Sequence, residues 1–139
     1  MDLVRKYYDI IVETLKKIET NEKENIRKGA ELMAEAIMED KLIHVFGSGG
    51  HSNMATEEMF HRAGGLACIN PIFVDGIRIP HIPRAERLLG YAEEIFRFYD
   101  LKKGDLLIIV NAYGINSVTI ESALLAKEKG IKTNRCNWN

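Results

Sequence analysis

The run Leu106-Leu107-Ile108-Ile109-Val110 constrains this chain more than any other stretch. Five consecutive apolar residues, most of them branched, describe a strand buried on both faces, because a half-buried strand would alternate apolar with polar. It follows the turn Lys102-Lys103-Gly104-Asp105 and gives way to a polar loop, Asn111-Ala112-Tyr113-Gly114-Ile115-Asn116. Ser117 then caps a helix that runs to Lys129 and is closed by Gly130. The same succession occurs upstream. Leu42-Ile43-His44-Val45-Phe46 ends at Gly47, and a helical stretch over 53–63 follows, stopped by Gly64-Gly65. Ala67 to Val74 predicts another strand, which Pro71 assigns to a sheet edge because proline has no N–H for a ladder. Residues 75–90 read as loop, with Pro80 and Pro83, and Tyr91, Ile95 and Phe98 space out a short helix over 91–99. Helices placed between such strands are crossovers, so the sheet is parallel and covered on both faces.

The expected architecture is therefore an α/β three-layer sandwich, its parallel sheet in the flavodoxin-like doubly wound order, built from residues 40–133. Ahead of it, Leu3, Tyr7, Ile10, Ile11, Leu15 and Ile18 recur at helical spacing behind Asp2 as N-cap. A polar segment over 19–25 interrupts them, and Ile26, Ala30, Met33 and Ile37 resume the stripe. Asn21 and Glu24 have the spacing of a capping box, which predicts a helical hairpin over 1–39, or one helix with a kink. Its apolar faces either cover the sheet or meet a second copy of the chain. After Ile131 the sequence turns polar, so the sheet is expected to be shortened at its C-terminal end, with 134–139 a disordered tail.

A chain of 139 residues makes one domain. Nineteen basic residues against twenty acidic ones leave a net charge of -1, which argues against nonspecific nucleic-acid binding. No apolar run approaches the length of a membrane span, and no charged-then-apolar leader opens the sequence. Cys68 and Cys136 lie far apart with no C-x-x-C spacing, which fits the reducing cytoplasm. Glu57 and His61 stand at i,i+4, but two ligands are too few for a metal, so neither metal nor cofactor is expected.

Chemistry concentrates in two loops. Gly47-Ser48-Gly49-Gly50-His51-Ser52 joins a strand to a helix, where unpaired amides and the helix dipole attract anions and glycines admit them closely. A nucleotide P-loop would need a Gly-Lys-Ser/Thr end, and no lysine lies between Gly47 and Thr56. A dinucleotide loop would need a third glycine at Ser52, although Asp75 could serve as its ribose-binding acid. No lysine or arginine stands in the loop, so an anion would be held by amides and hydroxyls. The second loop adds Asn111, Asn116, Ser117 and Thr119 at the end of the neighbouring strand, which favours a small ligand held between two loops.

Phe46-Gly47-Ser48-Gly49-Gly50-His51-Ser52 and Glu57-Glu58-Met59-Phe60-His61-Arg62 are followed by Gly104-Asp105-Leu106-Leu107-Ile108-Ile109 and Ala126-Lys127-Glu128-Lys129-Gly130-Ile131-Lys132. In this order and spacing the chain resembles the sugar isomerase (SIS) domain family, and its phosphoheptose isomerase-like branch in particular. The resemblance implies a parallel sheet between helices, a homodimer or higher assembly with sites near subunit interfaces, and a phosphorylated sugar as ligand. It implies that Ser52 belongs to the phosphate-binding turn and that Glu58 is the catalytic acid-base of an aldose–ketose exchange through an enediol. The family's second loop is normally Ser-x-Ser-Gly, where this chain has Asn111-Ala112-Tyr113-Gly114, leaving Ser117 and Thr119 to supply hydroxyls. Three functions stay open: a sugar-phosphate isomerase, a noncatalytic phosphosugar sensor, and a dinucleotide-binding fragment.

Overall fold

A computed structural model describes residues 2–78 and 84–136. The chain divides into two compact units, Met1–Ala34 and Glu35–Asn139. From Leu3 on, the first unit belongs to helix α1, which runs unbroken over Leu3–Met38 for 36 residues. Asp2 Oδ1 accepts the N–H of Val4 at 3.0 Å, as expected of its N-cap.

The expected hairpin is thus one helix. Its polar middle holds no glycine or proline, and Glu24, one of the two side chains that suggested a cap, is spent along the helix instead. Glu24 pairs with Arg27 three residues on, and Asn25 Nδ2 donates to Glu22 Oε2 at 2.8 Å. Arg27 also reaches Glu31 and Lys17 reaches Glu13, so i,i+3 and i,i+4 pairs support the polar turns.

The second unit is built on strands β1 (Ile43–Gly47), β2 (Ile69–Ile72), β3 (Leu106–Val110) and β4 (Lys132–Cys136), all parallel, in the order β2-β1-β3-β4. This is the doubly wound order that the sequence predicts, with the reversal between β1 and β3. The register runs Ile43↔Leu106 to Gly47↔Val110, so these two strands end level with each other. Both faces are buried. Phe46, Leu107 and Ile109 join one cluster with Ile72, Ile95, Phe96, Val118 and Ala126, while Ile43, Val45, Leu106 and Ile108 lie buried on the opposite parity.

Helix α2 (Asn53–Phe60) follows β1 and stops short of the glycine pair; Gly64, at φ 80°, shapes the turn beyond it. Within the expected loop, α3 (Asp75–Arg78) and a 3-10 turn at Ala85–Arg87 form; Pro80 and Pro83 lie outside the described residues. Helices α4 (Tyr91–Phe98) and α5 (Ser117–Lys129) match their spacing, with Asn116 rather than Ser117 as the N-cap of α5. Gly130, at φ 69°, closes α5 in the left-handed conformation that glycine accepts without strain.

The sheet borders are instructive. Pro71 sits in the outer strand β2, as predicted. Just beyond it, Tyr99 Oη accepts from Phe73 N at 3.0 Å and donates to Phe73 O at 2.8 Å. At the other border, β4 pairs with β3 through Val110↔Cys136, three residues into the segment expected to be tail. An edge strand is held by backbone bonds to one neighbour, so polar side chains such as Lys132 and Thr133 do not prevent it. The last three expected tail residues, 137–139, lie outside the described residues.

Candidate functional site

The loop after β1 folds back on itself. A Cβ on Gly47 would stand 2.4 Å from Ser52 O, so only glycine permits this approach. Gly49 O accepts from Ser52 N at 2.9 Å and Asn53 N at 3.2 Å, which closes the turn that starts α2. Ser52 N, one of the amides expected to face a ligand, is therefore occupied. Among the described residues nothing accepts from the N–H groups of Gly49, Gly50 and His51. Gly50 and His51 are exposed and Ser52 is half-buried, its side chain making no capping bond.

The loop after β3 begins beside it, as the register of Gly47 and Val110 requires. Asn111 joins the two loops. Its Nδ2 donates to Ser48 O at 3.1 Å and Ser48 Oγ at 3.3 Å, and its Oδ1 accepts from Tyr113 N at 3.0 Å and Gly114 N at 2.7 Å. Ser48 Oγ lies 2.8 Å from Thr119 Oγ1 on α5, and Ser48 N donates to Val110 O at 3.1 Å. Ser48, Asn111 and Thr119 are all buried. These three expected ligand-binding side chains thus satisfy one another.

Other expected residues converge above Gly49. The point that a Cβ on Gly49 would take is 3.1 Å from Asn111 Nδ2, 3.6 Å from Ser52 Oγ and 3.7 Å from Asn116 Nδ2. Polar side chains from two loops therefore crowd the place of the missing Cβ; Asn111 Nδ2 is already committed to Ser48, while Ser52 Oγ and Asn116 Nδ2 stand slightly further off. Asn116 makes no side-chain cap to α5, and Ser117 beside it is half-buried. Gly50 is backed by Ile77 O, 3.7 Å from its own absent Cβ, so α3 borders this loop. Asp75, the acid of the dinucleotide alternative, opens α3 after β2.

Glu58 lies on α2, its side chain 63% exposed and paired with Arg62 one turn along. The structure does not draw it into the cluster over Gly49. Glu57 beside it is half-buried.

One residue escaped the sequence reading. Asn53, 3% exposed, donates from Nδ2 to Gly49 O at 3.4 Å, while its Oδ1 has no partner among the described residues. A polar residue opening the helix after a glycine loop was the available signal.

A family model described as SIS domain matches residues 6–134. A UPF0309 protein of Thermoanaerobacter pseudethanolicus is 37% identical over 139 residues, covering 94% of this chain and 55% of that protein. A UPF0309 protein of Oceanobacillus iheyensis is 38% identical over 136 residues, with the same two coverages, 94% and 55%. The chain thus spans about half the length of the curated relatives it matches. Among solved structures, phosphoheptose isomerase GmhA from Neisseria gonorrhoeae superposes with a TM-score of 0.70 at 22% identity, covering 96% of this chain and 72% of that one. A phosphoheptose isomerase from Francisella tularensis gives 0.68 at 14% identity, covering 96% and 73%. These two share the fold. With the glycine loop, the parallel order β2-β1-β3-β4 and a family match over nearly its whole length, the chain belongs to the SIS domain family.

Proposed function

We propose that the chain binds a phosphorylated sugar where β1 and β3 end side by side, and that Glu58 serves there as the base of an aldose–ketose exchange. The observation that carries the binding is the approach of Ser52 Oγ and Asn116 Nδ2, from two loops, to within 3.6 and 3.7 Å of the point that a Cβ on Gly49 would take. Neutral donors close together, beside the free amides of Gly49 and Gly50, suit phosphate oxygens without needing a lysine. SIS membership and the names of the two solved neighbours support a sugar phosphate as the ligand. In the exchange, a carboxylate takes the proton from the carbon beside the carbonyl while the carbonyl oxygen gains a proton from solvent, and an enediol forms. The carboxylate then returns its proton to the former carbonyl carbon as the neighbouring hydroxyl gives its own up to solvent, leaving the carbonyl on the adjacent carbon.

A noncatalytic phosphosugar-binding role is the second reading. It is favoured by the pairing of Glu58 with Arg62 on an exposed helix face. We assign the chain to the cytoplasm, supported by the free thiol of Cys68, and to self-association through α1. Leu3, Tyr7, Ile10, Leu15 and Ile26 all project from that helix more than half exposed, which supports a second copy as partner.

One experiment separates the readings. The protein is incubated with a panel of aldose and ketose phosphates in deuterated water, and thermal stabilisation is recorded beside deuterium incorporation. Stabilisation with incorporation supports the isomerase, and stabilisation alone supports the sensor. No stabilisation by any member overturns both.

A further inference from the structure

Tyr91, Ile95 and Phe98 are spaced so that one face of α4 carries all three. Ile95 is buried in the core, yet Phe98 at the far end of the stripe is 83% exposed. Between this face and the chain leaving β2 lies a cleft of about 480 Å3, a size that suits a small organic molecule. Its walls are aromatic, with Phe73 and Tyr99 lining it beside Tyr91 and Phe98. Tyr99 is immobilised through its hydroxyl, which bonds both backbone groups of Phe73. Phe98 meets Tyr99 edge-on, the rings 5.2 Å apart at 72°, so two walls form a corner without any ligand to shape it.

The charge in the cleft is one-sided. Arg97 pairs with Glu94 along the same helix, and the two cancel. That leaves the carboxylate of Asp75, which opens α3 and has no ion-pair or hydrogen-bond partner among the described residues. The phosphosugar reading gives Asp75 no task. Tyr91 Oη is also without a partner among them, and it lies 3.8 Å from the place that a Cβ on Gly76 would take, next to Asp75. Aromatic faces attract cations through their quadrupole, and an unpaired carboxylate in the same partly dry space adds direct attraction. An anion would be repelled there, and a neutral molecule would gain from the rings alone.

We propose that this cleft is a second ligand site and that it takes an organic cation, a single ammonium charge on an apolar body. Asp75 is the counter-ion, and Phe98 covers the apolar part. None of the residues lining the cleft belongs to the loops after β1 and β3, so the proposal stands apart from the phosphosugar reading.

The test follows the backbone amide signals of Gly76 and Ile95 by NMR during titration with choline, with its uncharged carbon isostere dimethylbutanol, with benzyltrimethylammonium and with adenosine. Choline should move both signals and bind about tenfold more tightly than the isostere, and added salt should weaken it. Benzyltrimethylammonium should bind more tightly still. Asp75→Asn should lower choline affinity about tenfold, and Phe98→Ala should weaken benzyltrimethylammonium more than choline. Equal affinity for choline and its isostere would overturn the proposal, as would choline binding that Asp75→Asn leaves unchanged. Tighter binding of adenosine than of either ammonium would assign the cleft to a nucleoside and overturn it too. So would the absence of any shift at millimolar ammonium. Should a variant not fold, the comparison of choline with its isostere on the unmutated protein decides.

Discussion

Ser48 Oγ and Thr119 Oγ1 lie 2.8 Å apart across 71 residues of sequence, with both side chains sealed from solvent. The pair fastens the glycine loop after β1 to the first turn of α5, so the two halves of the candidate site are held in register by hydroxyls. Removing one member leaves the other with only longer contacts, because Thr119 Oγ1 is 3.5 Å from Ser48 O. Ser48→Ala should therefore cost about 1–3 kcal/mol in denaturant unfolding. A double-mutant cycle with Thr119→Val should return a coupling of about 0.5–1.5 kcal/mol. Additive effects would show that the contact contributes nothing.

The glycines of the first loop should differ sharply in tolerance. Gly47→Ala drives a Cβ to 2.4 Å from a backbone oxygen, and no flexible side chain can yield, so the variant should lose about 3 kcal/mol or more. Gly50→Ala meets nothing closer than Ile77 O at 3.7 Å and should stay within about 0.5 kcal/mol. Gly49→Ala places its Cβ 3.1 Å from Asn111 Nδ2, so it should fall between the other two in stability and lose thermal stabilisation by sugar phosphates. Equal stability of the Gly47 and Gly50 variants would contradict the loop geometry.

Glu58 is exposed, so Glu58→Gln should leave stability within about 0.5 kcal/mol. If Glu58 is the base, deuterium incorporation into a bound sugar phosphate should fall by about 10²-fold or more while binding persists. Incorporation that survives the substitution removes Glu58 from the mechanism.

His44 predicts a pH dependence. Burial lowers its pKa below 6.5, Asp105 partly raises it again, and Lys102 lowers it. Nδ1 lies 3.0 Å from Asn70 Nδ2, so the neutral ring accepts there and carries its proton on Nε2, 3.6 Å from Asp105 Oδ2. The unfolded chain protonates first as pH falls. The stability His44 contributes is thus complete above 6.5 and is lost as the pH drops from there through the lower folded value. Unfolding midpoints between pH 8 and 5 should decline, and His44→Gln should flatten the decline. An identical profile in the variant would place the dependence elsewhere.

Self-association through α1 should depend on its exposed apolar side chains. Leu15→Lys combined with Ile26→Lys should lower the assembly state in sedimentation without loss of helix content. A chain that is already a monomer at micromolar concentration would exclude this role for the helix.

Much of the fold is legible in the sequence where burial is complete. Leu106–Val110 and Ile43–Gly47 are apolar on both faces, and Gly130 ends α5 at the residue its conformation requires. Pro71 marks the border strand for want of an N–H. The single helix α1 is less legible, because Asn21 and Glu24 have the spacing of a cap while Glu24 serves an i,i+3 pair. Strand β4 is hidden for another reason, since a backbone ladder carries no signature in Lys132 or Thr133. At the candidate site, residue types single out the loops that follow β1 and β3 but not the direction of their side chains. Ser48, Asn111 and Thr119 turn toward one another, while Ser52 and Asn116 turn toward Gly49.

The phenol of Tyr99 has a consequence for how this molecule avoids fibrous growth. An incoming foreign strand laid along Ile69–Ile72 would find a proline that offers no donor and, next in line, a residue whose amide and carbonyl are already engaged. Templated polymerisation is thereby discouraged at one flank.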